Sequence, residues 1–324
     1  MAPLYDLSLR YAAYAERQTF PGDPTELYEP VRYIMSLGGK RLRPLLALEA
    51  CRLFGGDPER ALSAAYAVEL FHNFSLVHDD IMDRAPLRRG KPTVHEKFGE
   101  NTAILAGDVM LVKVYGYLAQ GAGPLLPRLL EIFNDTAAGV CEGQQMDMLF
   151  ENRDDVSLGE YVRMIELKTA VLLSGALEMG AMIGGASAED AARLGRFGRK
   201  IGIAFQIKDD LLDSFGDPLK FGKKTGGDIA QGKKTFLVCK AMETAPPPQK
   251  SELRRLLSLP VEQEEAKIAA VLDFLRDLDI PRQAEGAIDL YYRDALADLD
   301  AVGAPGNAKR SLAGFAADLM QREH

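Results

Sequence analysis

Residues 161–183 read YVRMIELKTAVLLSGALEMGAMI. Tyr161, Ile165, Thr169, Leu172, Ala176, Met179 and Ile183 step through this stretch by three or four positions, which lines them along one face of a long helix. Outward from it, runs rich in Ala, Leu, Glu, Met and Arg recur at the same spacing, and no segment alternates as a half-buried strand would. The pattern predicts an all-α chain. Breakers at Pro21-Gly22-Asp23-Pro24, Gly121-Ala122-Gly123-Pro124 and Pro246-Pro247-Pro248 divide the helices, and none is long enough to be a flexible linker. With no internal repeat or low-complexity tract, residues 1–324 are expected to form one helical domain of ten or more helices. The polar, proline-rich segment Glu243–Lys267 reads as a surface excursion with no catalytic part.

The composition narrows the function. The chain has 324 residues, 47% of them apolar, and a formal net charge of −8. An acidic chain with no extended basic stretch is a poor nucleic-acid binder, because neutralising phosphates needs a basic surface. Cys51, Cys141 and Cys239 are odd in number and far apart, which suggests core thiols in a reducing cytoplasm and neither disulfides nor zinc. The N-terminal stretch MAPLYDLSLRYAAYAERQ lacks the pattern of a secretory signal. Ala170–Ala186 is the most apolar window, but it carries Glu178 and falls short of a membrane span, so no integral membrane segment is expected.

The chemistry is concentrated in two acidic stretches. In His78-Asp79-Asp80-Ile81-Met82-Asp83, Asp79 and Asp83 stand one helical turn apart, and like charges so placed repel unless a cation lies between them. The same spacing returns 130 residues later in Asp209-Asp210-Leu211-Leu212-Asp213. Carboxylates without His or Cys partners select a hard ion, and Mg²⁺ completes its octahedron with water and phosphate oxygens. Two such pairs read as a clamp for a metal-bound diphosphate. The basic residues supply the complement: Lys40, Arg41 and Arg43; Arg88, Arg89 and Lys91; Lys168; Lys223 and Lys224; Lys233 and Lys234. Several adjoin glycines that let the backbone approach an anion closely.

With these residues in place, the chain resembles the trans-isoprenyl diphosphate synthase family over nearly its whole length. The resemblance rests on Gly38-Gly39-Lys40-Arg41-Leu42-Arg43-Pro44, the two aspartate motifs in order, Arg88-Arg89-Gly90, Lys168-Thr169, Gln206, Gly222-Lys223 and Gly232-Lys233. It implies a large helical bundle of the isoprenoid synthase type with a central substrate cavity. It also implies an enzyme that joins isopentenyl diphosphate to allylic diphosphates with the help of Mg²⁺, three ions per active site, and a homodimer. Position by position, Lys40, Arg43, His72 and Arg89 look like the pocket for isopentenyl diphosphate. Arg88, Lys168, Lys223 and Lys233 look like partners of the allylic diphosphate. Asp79, Asp83 and Asp209 look like the principal magnesium ligands, with Asp80, Asp210 and Asp213 supporting. Thr169 and Gln206 resemble the oxygen donors near the allylic cation. Cys141-Glu142-Gly143-Gln144-Gln145-Met146-Asp147 matches a stretch that lines the active site, although helix packing would explain it equally well.

Competing readings are weaker. Glu69-Leu70-Phe71-His72 is also a Glu-x-x-His element of the di-iron type, but that site needs a second copy. His78 and His95 read as capping or packing residues. A terpene cyclase would lack both the second all-aspartate motif and the Lys40–Arg43 pocket, and a non-catalytic partner subunit would have lost ligands that are present here. Chain length is read from the helix leading into Asp79. Phe74 lies about 7.5 Å and Phe71 about 12 Å up the axis, with the small Ser75 between Phe74 and the motif. An aromatic at Phe74 with no insertion in the motif resembles the type that makes a twenty-carbon product, ahead of farnesyl or long polyprenyl products. Core packing of both rings is the competing account.

Overall fold

The computed structural model describes residues 2–216 and 225–321. Its helices are α1 (Ala2–Glu16), α2 (Thr25–Ser36), α3 (Leu42–Leu53), α4 (Leu62–Met82), α5 (Val94–Phe98), α6 (Glu100–Ala119), α7 (Leu126–Glu151), α8 (Leu158–Ile165), α9 (Val171–Gly184) and α10 (Ala188–Phe215). They are followed by Gly227–Ala230, Phe236–Thr244, Pro247–Leu257, Glu264–Asp277, Ile280–Asp300 and Gly306–Met320. The all-α expectation therefore holds, with one local exception. Leu87–Arg88 and Lys91–Pro92 pair as a minimal antiparallel hairpin, closed by Arg89 at φ 54° and Gly90 at φ 74°. Two consecutive positive φ values make a tight hairpin turn, and an arginine at the first of them disguised it in the sequence.

The helical face from Tyr161 to Ile183 is buried as read, apart from the partly accessible Thr169. The helix itself is not continuous: Glu166–Ala170 forms a π turn between α8 and α9. Such a one-residue bulge costs regular hydrogen bonding and recurs at functional sites; Lys168 and Thr169 lie in it.

Two compact units make up the chain. The first gathers Met1–Ala137, Leu172–Gly195 and Asp300–Leu312; the second gathers Ala138–Val171, Arg196–Leu299 and Ala313–His324. In the first, α4 is the buried axis, and its residues 64–71 are buried without a break. It packs on α3 and α6, and Gly107 of α6 makes room for His78, since a Cβ there would sit 2.2 Å from the imidazole. In the second, Ile203, Ala204, Ile207 and Leu211 of α10 share a core with Phe236, Leu237, Val271, Leu275 and Ile280. That core also takes in Leu253 and Leu256. The segment Glu243–Lys267 is therefore no mere surface excursion: its polar residues outnumber the two leucines, three positions apart, that anchor the helix Pro247–Leu257.

Candidate active site

The first aspartate motif sits at the C-terminal end of α4, where the helix dipole is unfavourable to carboxylates. Three aspartates crowded there call for cations. One is supplied by the hairpin: the Arg88 guanidinium donates from Nε to both Asp80 oxygens at 2.9 Å and from a terminal nitrogen at 2.7 Å. Asp80 is 1% exposed. Burial pushes its carboxyl up while Arg88 pulls it down. Both of its oxygens are engaged by Arg88, so in this structure Asp80 holds that arginine in place. Arg88 then stands 3.8 Å from Asp79, while Asp79 and the exposed Asp83 keep the one-turn spacing of a carboxylate pair.

The second motif repeats the arrangement with other partners. Asp210, at 4% exposure, accepts from the Tyr161 hydroxyl, from the Phe236 amide at 2.8 Å and from the Gln206 amide at 3.3 Å. Burial pushes its carboxyl up to about 7, against the pull of these donors. Asp210 thus ties Tyr161, Gln206 and Phe236 together in the core of the second unit. Asp213 accepts from the Asp228 amide at 3.0 Å and so tethers the Gly227–Ala230 turn. Lys168 pairs with Asp147 at 2.6 Å, and the Thr169 hydroxyl donates to Gln206 at 3.3 Å. These side chains border a cavity of about 140 Å³ that Asp228 and Lys233 also line. Lys233 lies 3.7 Å from Asp228, whose carboxyl is raised by burial and by Asp213. Lys223 lies outside the described residues.

Tyr161, Asp147 and Asp228 were not singled out as site residues by the sequence. Tyr161 looked like one more core position of its helix, Asp147 entered only as the last residue of the Cys141–Asp147 stretch with its partner Lys168 21 residues away, and Asp228 lies 15 residues from Asp213, whose carboxylate receives its amide. In the Cys141–Asp147 stretch the packing account is visible directly. Gly143 lets α7 touch the π turn, where a Cβ would fall 2.3 Å from the Lys168 nitrogen, and Asp147 reaches Lys168 from the same helix.

The residues expected to hold isopentenyl diphosphate come together in the first unit. Arg43 contacts the His72 ring nitrogen at 3.2 Å. Burial, then Arg43, Arg89, Arg88 and Arg41, hold His72 well below its usual range, so the neutral ring accepts from Arg43. Arg89 donates to the Gly38 carbonyl, and its guanidinium lies over Gly39, 2.9 Å from where a Cβ would be. Lys40 lies on the same loop. The Arg43 Nε is buried with no hydrogen-bond partner among the described residues, a donor that a bound anion would satisfy.

Phe71 is 1% exposed and packs edge-on against Phe133 at 5.2 Å between ring centroids. Phe74 packs against Phe71 at 5.4 Å and against His78 at 4.8 Å. Both rings are core residues, as the packing account has it, and Ser75 bonds back to the His72 carbonyl at 2.8 Å. His78 is a packing residue as expected, its Nε2 3.2 Å from the Ile104 carbonyl.

Among the described residues no three His, Cys, Asp or Glu side chains converge on a ready-made metal site. The donor set nevertheless fits Mg²⁺, which needs only one or two carboxylates and takes its other oxygens from water and phosphate.

A family model for polyprenyl synthetase matches residues 24–275. The chain is 37% identical to a short chain isoprenyl diphosphate synthase of Methanothermobacter thermautotrophicus, over 100% of both chains. It is 40% identical to a geranylgeranyl diphosphate synthase of Sulfolobus acidocaldarius, over 91% of each. A crystal structure of a geranylgeranyl pyrophosphate synthase superposes with a TM-score of 0.94 at 42% identity, covering 99% of both chains. The family works with a divalent metal and with diphosphate esters of isoprenoids, as the carboxylate pairs and clustered cations require. The chain belongs to the polyprenyl synthetase family and is a prenyltransferase.

Proposed function

We propose that this chain condenses isopentenyl diphosphate with dimethylallyl, geranyl and farnesyl diphosphates to give all-trans geranylgeranyl diphosphate. The observation that carries the chemistry is the bidentate Asp80–Arg88 pair, which sets a guanidinium beside Asp79 at the place where a leaving diphosphate would gather charge. Asp79, Asp83, Asp209 and Asp213 would hold three Mg²⁺ ions. Bound there, Mg²⁺ neutralises charge on the departing diphosphate. Arg88, Lys168, Lys223 and Lys233 bind the allylic diphosphate and stabilise the same charge, more strongly in the transition state than in the bound substrate. Thr169 and Gln206 present oxygens toward the carbon that becomes cationic. Arg43, His72, Arg89 and Lys40 orient isopentenyl diphosphate so that its double bond faces that carbon, which removes much of the entropic part of the barrier. The proton lost in the last step passes to the released diphosphate.

The twenty-carbon product rests on Phe74 as the floor of the tail's path. Incubation with each allylic starter and Mg²⁺ or EDTA, followed by mass spectrometry of the dephosphorylated alcohols, tests both points. The C20 alcohol should dominate with Mg²⁺ and vanish with EDTA, and Phe74→Ala should lengthen the product. A product unchanged by Phe74→Ala would leave packing as the role of that ring.

The working form is a cytoplasmic homodimer. Leu105, Val112 and Tyr115 form an exposed apolar stripe on α6, and the exposed Asp108 falls within it. Two stretches are long and apolar enough to cross a membrane by length and composition, Glu100–Ala119 and Leu158–Gly184. The second is 72% buried in its most apolar window, and the charge in the stripe of the first suits a second protein copy better than lipid. Sedimentation velocity should give a dimer that Val112→Glu dissociates.

A further inference from the structure

α4 carries an acidic residue that the chemistry above leaves unused. Glu69 is 2% exposed and is ion-paired with Arg41. Asn73, buried one turn on, donates its amide to a Glu69 carboxylate oxygen at 3.1 Å and to the Glu69 carbonyl at 2.8 Å. The carboxylate is thereby held from its own helix. Arg41 in turn reaches back to the Met35 carbonyl at 2.8 Å and takes φ 50° at the start of α3. One guanidinium thus joins the end of α2, the glycine loop and α4.

That loop is the one whose geometry matters for the diphosphate. Arg89 is seated on Gly38 and Gly39 immediately before Lys40 and Arg41. Arg43, two residues further, meets His72, which lies three residues beyond Glu69 on the same face of α4. Three guanidinium groups crowd together here. Arg89 is held below its usual range by burial and then by Arg41, and Arg43 by burial with a further contribution from Arg89; Glu69 opposes the shift in both. A cation cluster built before substrate arrives would splay apart without a fixed counter-charge.

We propose that Glu69 is a positioning residue which, acting through Arg41, holds the Gly38–Arg43 loop in the shape that receives the diphosphate of isopentenyl diphosphate. It sets the affinity for that substrate without touching it. This rests on the assignment of Lys40, Arg43, His72 and Arg89 to that diphosphate.

The test is steady-state kinetics on E69Q, R41Q, the E69Q/R41Q double variant and R43Q, with the KM for each substrate measured separately from kcat. E69Q and R41Q should each raise the KM for isopentenyl diphosphate about tenfold to a hundredfold, the cost of a small misplacement. The KM for the allylic substrate and kcat should stay within about threefold. The double variant should be no worse than either single one, because the two residues act as a unit. It also removes both charges together, so it carries the test if E69Q alone does not fold. An unchanged KM for isopentenyl diphosphate in E69Q, an equal rise for both substrates, or multiplicative effects in the double variant would overturn the role of Glu69. R43Q separates this from the underlying assignment: if R43Q leaves that KM unchanged, the diphosphate pocket itself has been misassigned.

Discussion

In the first aspartate motif the middle carboxylate, Asp80, holds a cation by both oxygens, while in the second its counterpart, Asp210, is ringed by a hydroxyl and two amides. The two motifs have the same residue spacing and the same buried middle position. What differs is the role of that buried charge. Asp80 carries Arg88 into the site, so its mutation should be felt in catalysis. Asp210 joins α8, α10 and the helix Phe236–Thr244, so its mutation should be felt in folding. The comparison teaches that the buried middle aspartate of a repeated acidic motif can hold a cation in one copy and a ring of neutral donors in the other.

The largest effect should come from the outer residues. Asp79→Ala or Asp209→Ala is expected to lower kcat by several orders of magnitude, since each strips an oxygen donor from the leaving-group clamp. Normal single-turnover rates for either variant would break the assignment of both motifs. The middle residues should then part company. Asp80→Asn frees Arg88 and should lower kcat/KM for the allylic substrate about tenfold to a hundredfold with little change in melting temperature. Asp210→Asn should keep most of the activity, because an amide oxygen can still accept from Tyr161 and Phe236. Equal losses in the two variants would erase the distinction.

Asp210 also has a pH signature of its own. Its folded carboxyl titrates at about 7, above the roughly 3.9 of an unfolded aspartate. Between those values the folded state holds a proton that the unfolded state has lost, so stability falls as pH rises from about 4 to about 7. Urea titrations in EDTA across that window should show the slope in the wild type and a flatter one in Asp210→Asn; identical slopes would mean that the carboxylate is better solvated than its burial implies. The smallest effect is expected from Tyr161→Phe, which removes one of three donors and should cost about 1 kcal/mol of stability, read from the urea midpoint with kcat nearly unchanged.

Much of this protein was legible before any coordinates. Helical periodicity announced an all-α chain because a buried helix face must repeat every three to four residues whatever it packs against. The aspartate pairs and the Arg88-Arg89, Lys168-Thr169 and Lys40–Arg43 clusters announced diphosphate chemistry because charge of both signs at short, regular spacing has few other uses. Such signals are local in the chain. What distinguished Asp80 from Asp79, and Asp210 from Asp209, was not: adjacent aspartates on a helix point about 100° apart, and only the neighbours brought in by folding decide which one is gripped by both oxygens on Arg88 or buried against Tyr161 and Phe236. The same holds for Glu69, whose partner Arg41 is 28 residues away, for Asp147 and Lys168, 21 apart, and for the leucines of Pro247–Leu257. Residue type and spacing set which groups could do the chemistry; long-range packing, by burying some of those charges against each other, decided which of them are left to do it.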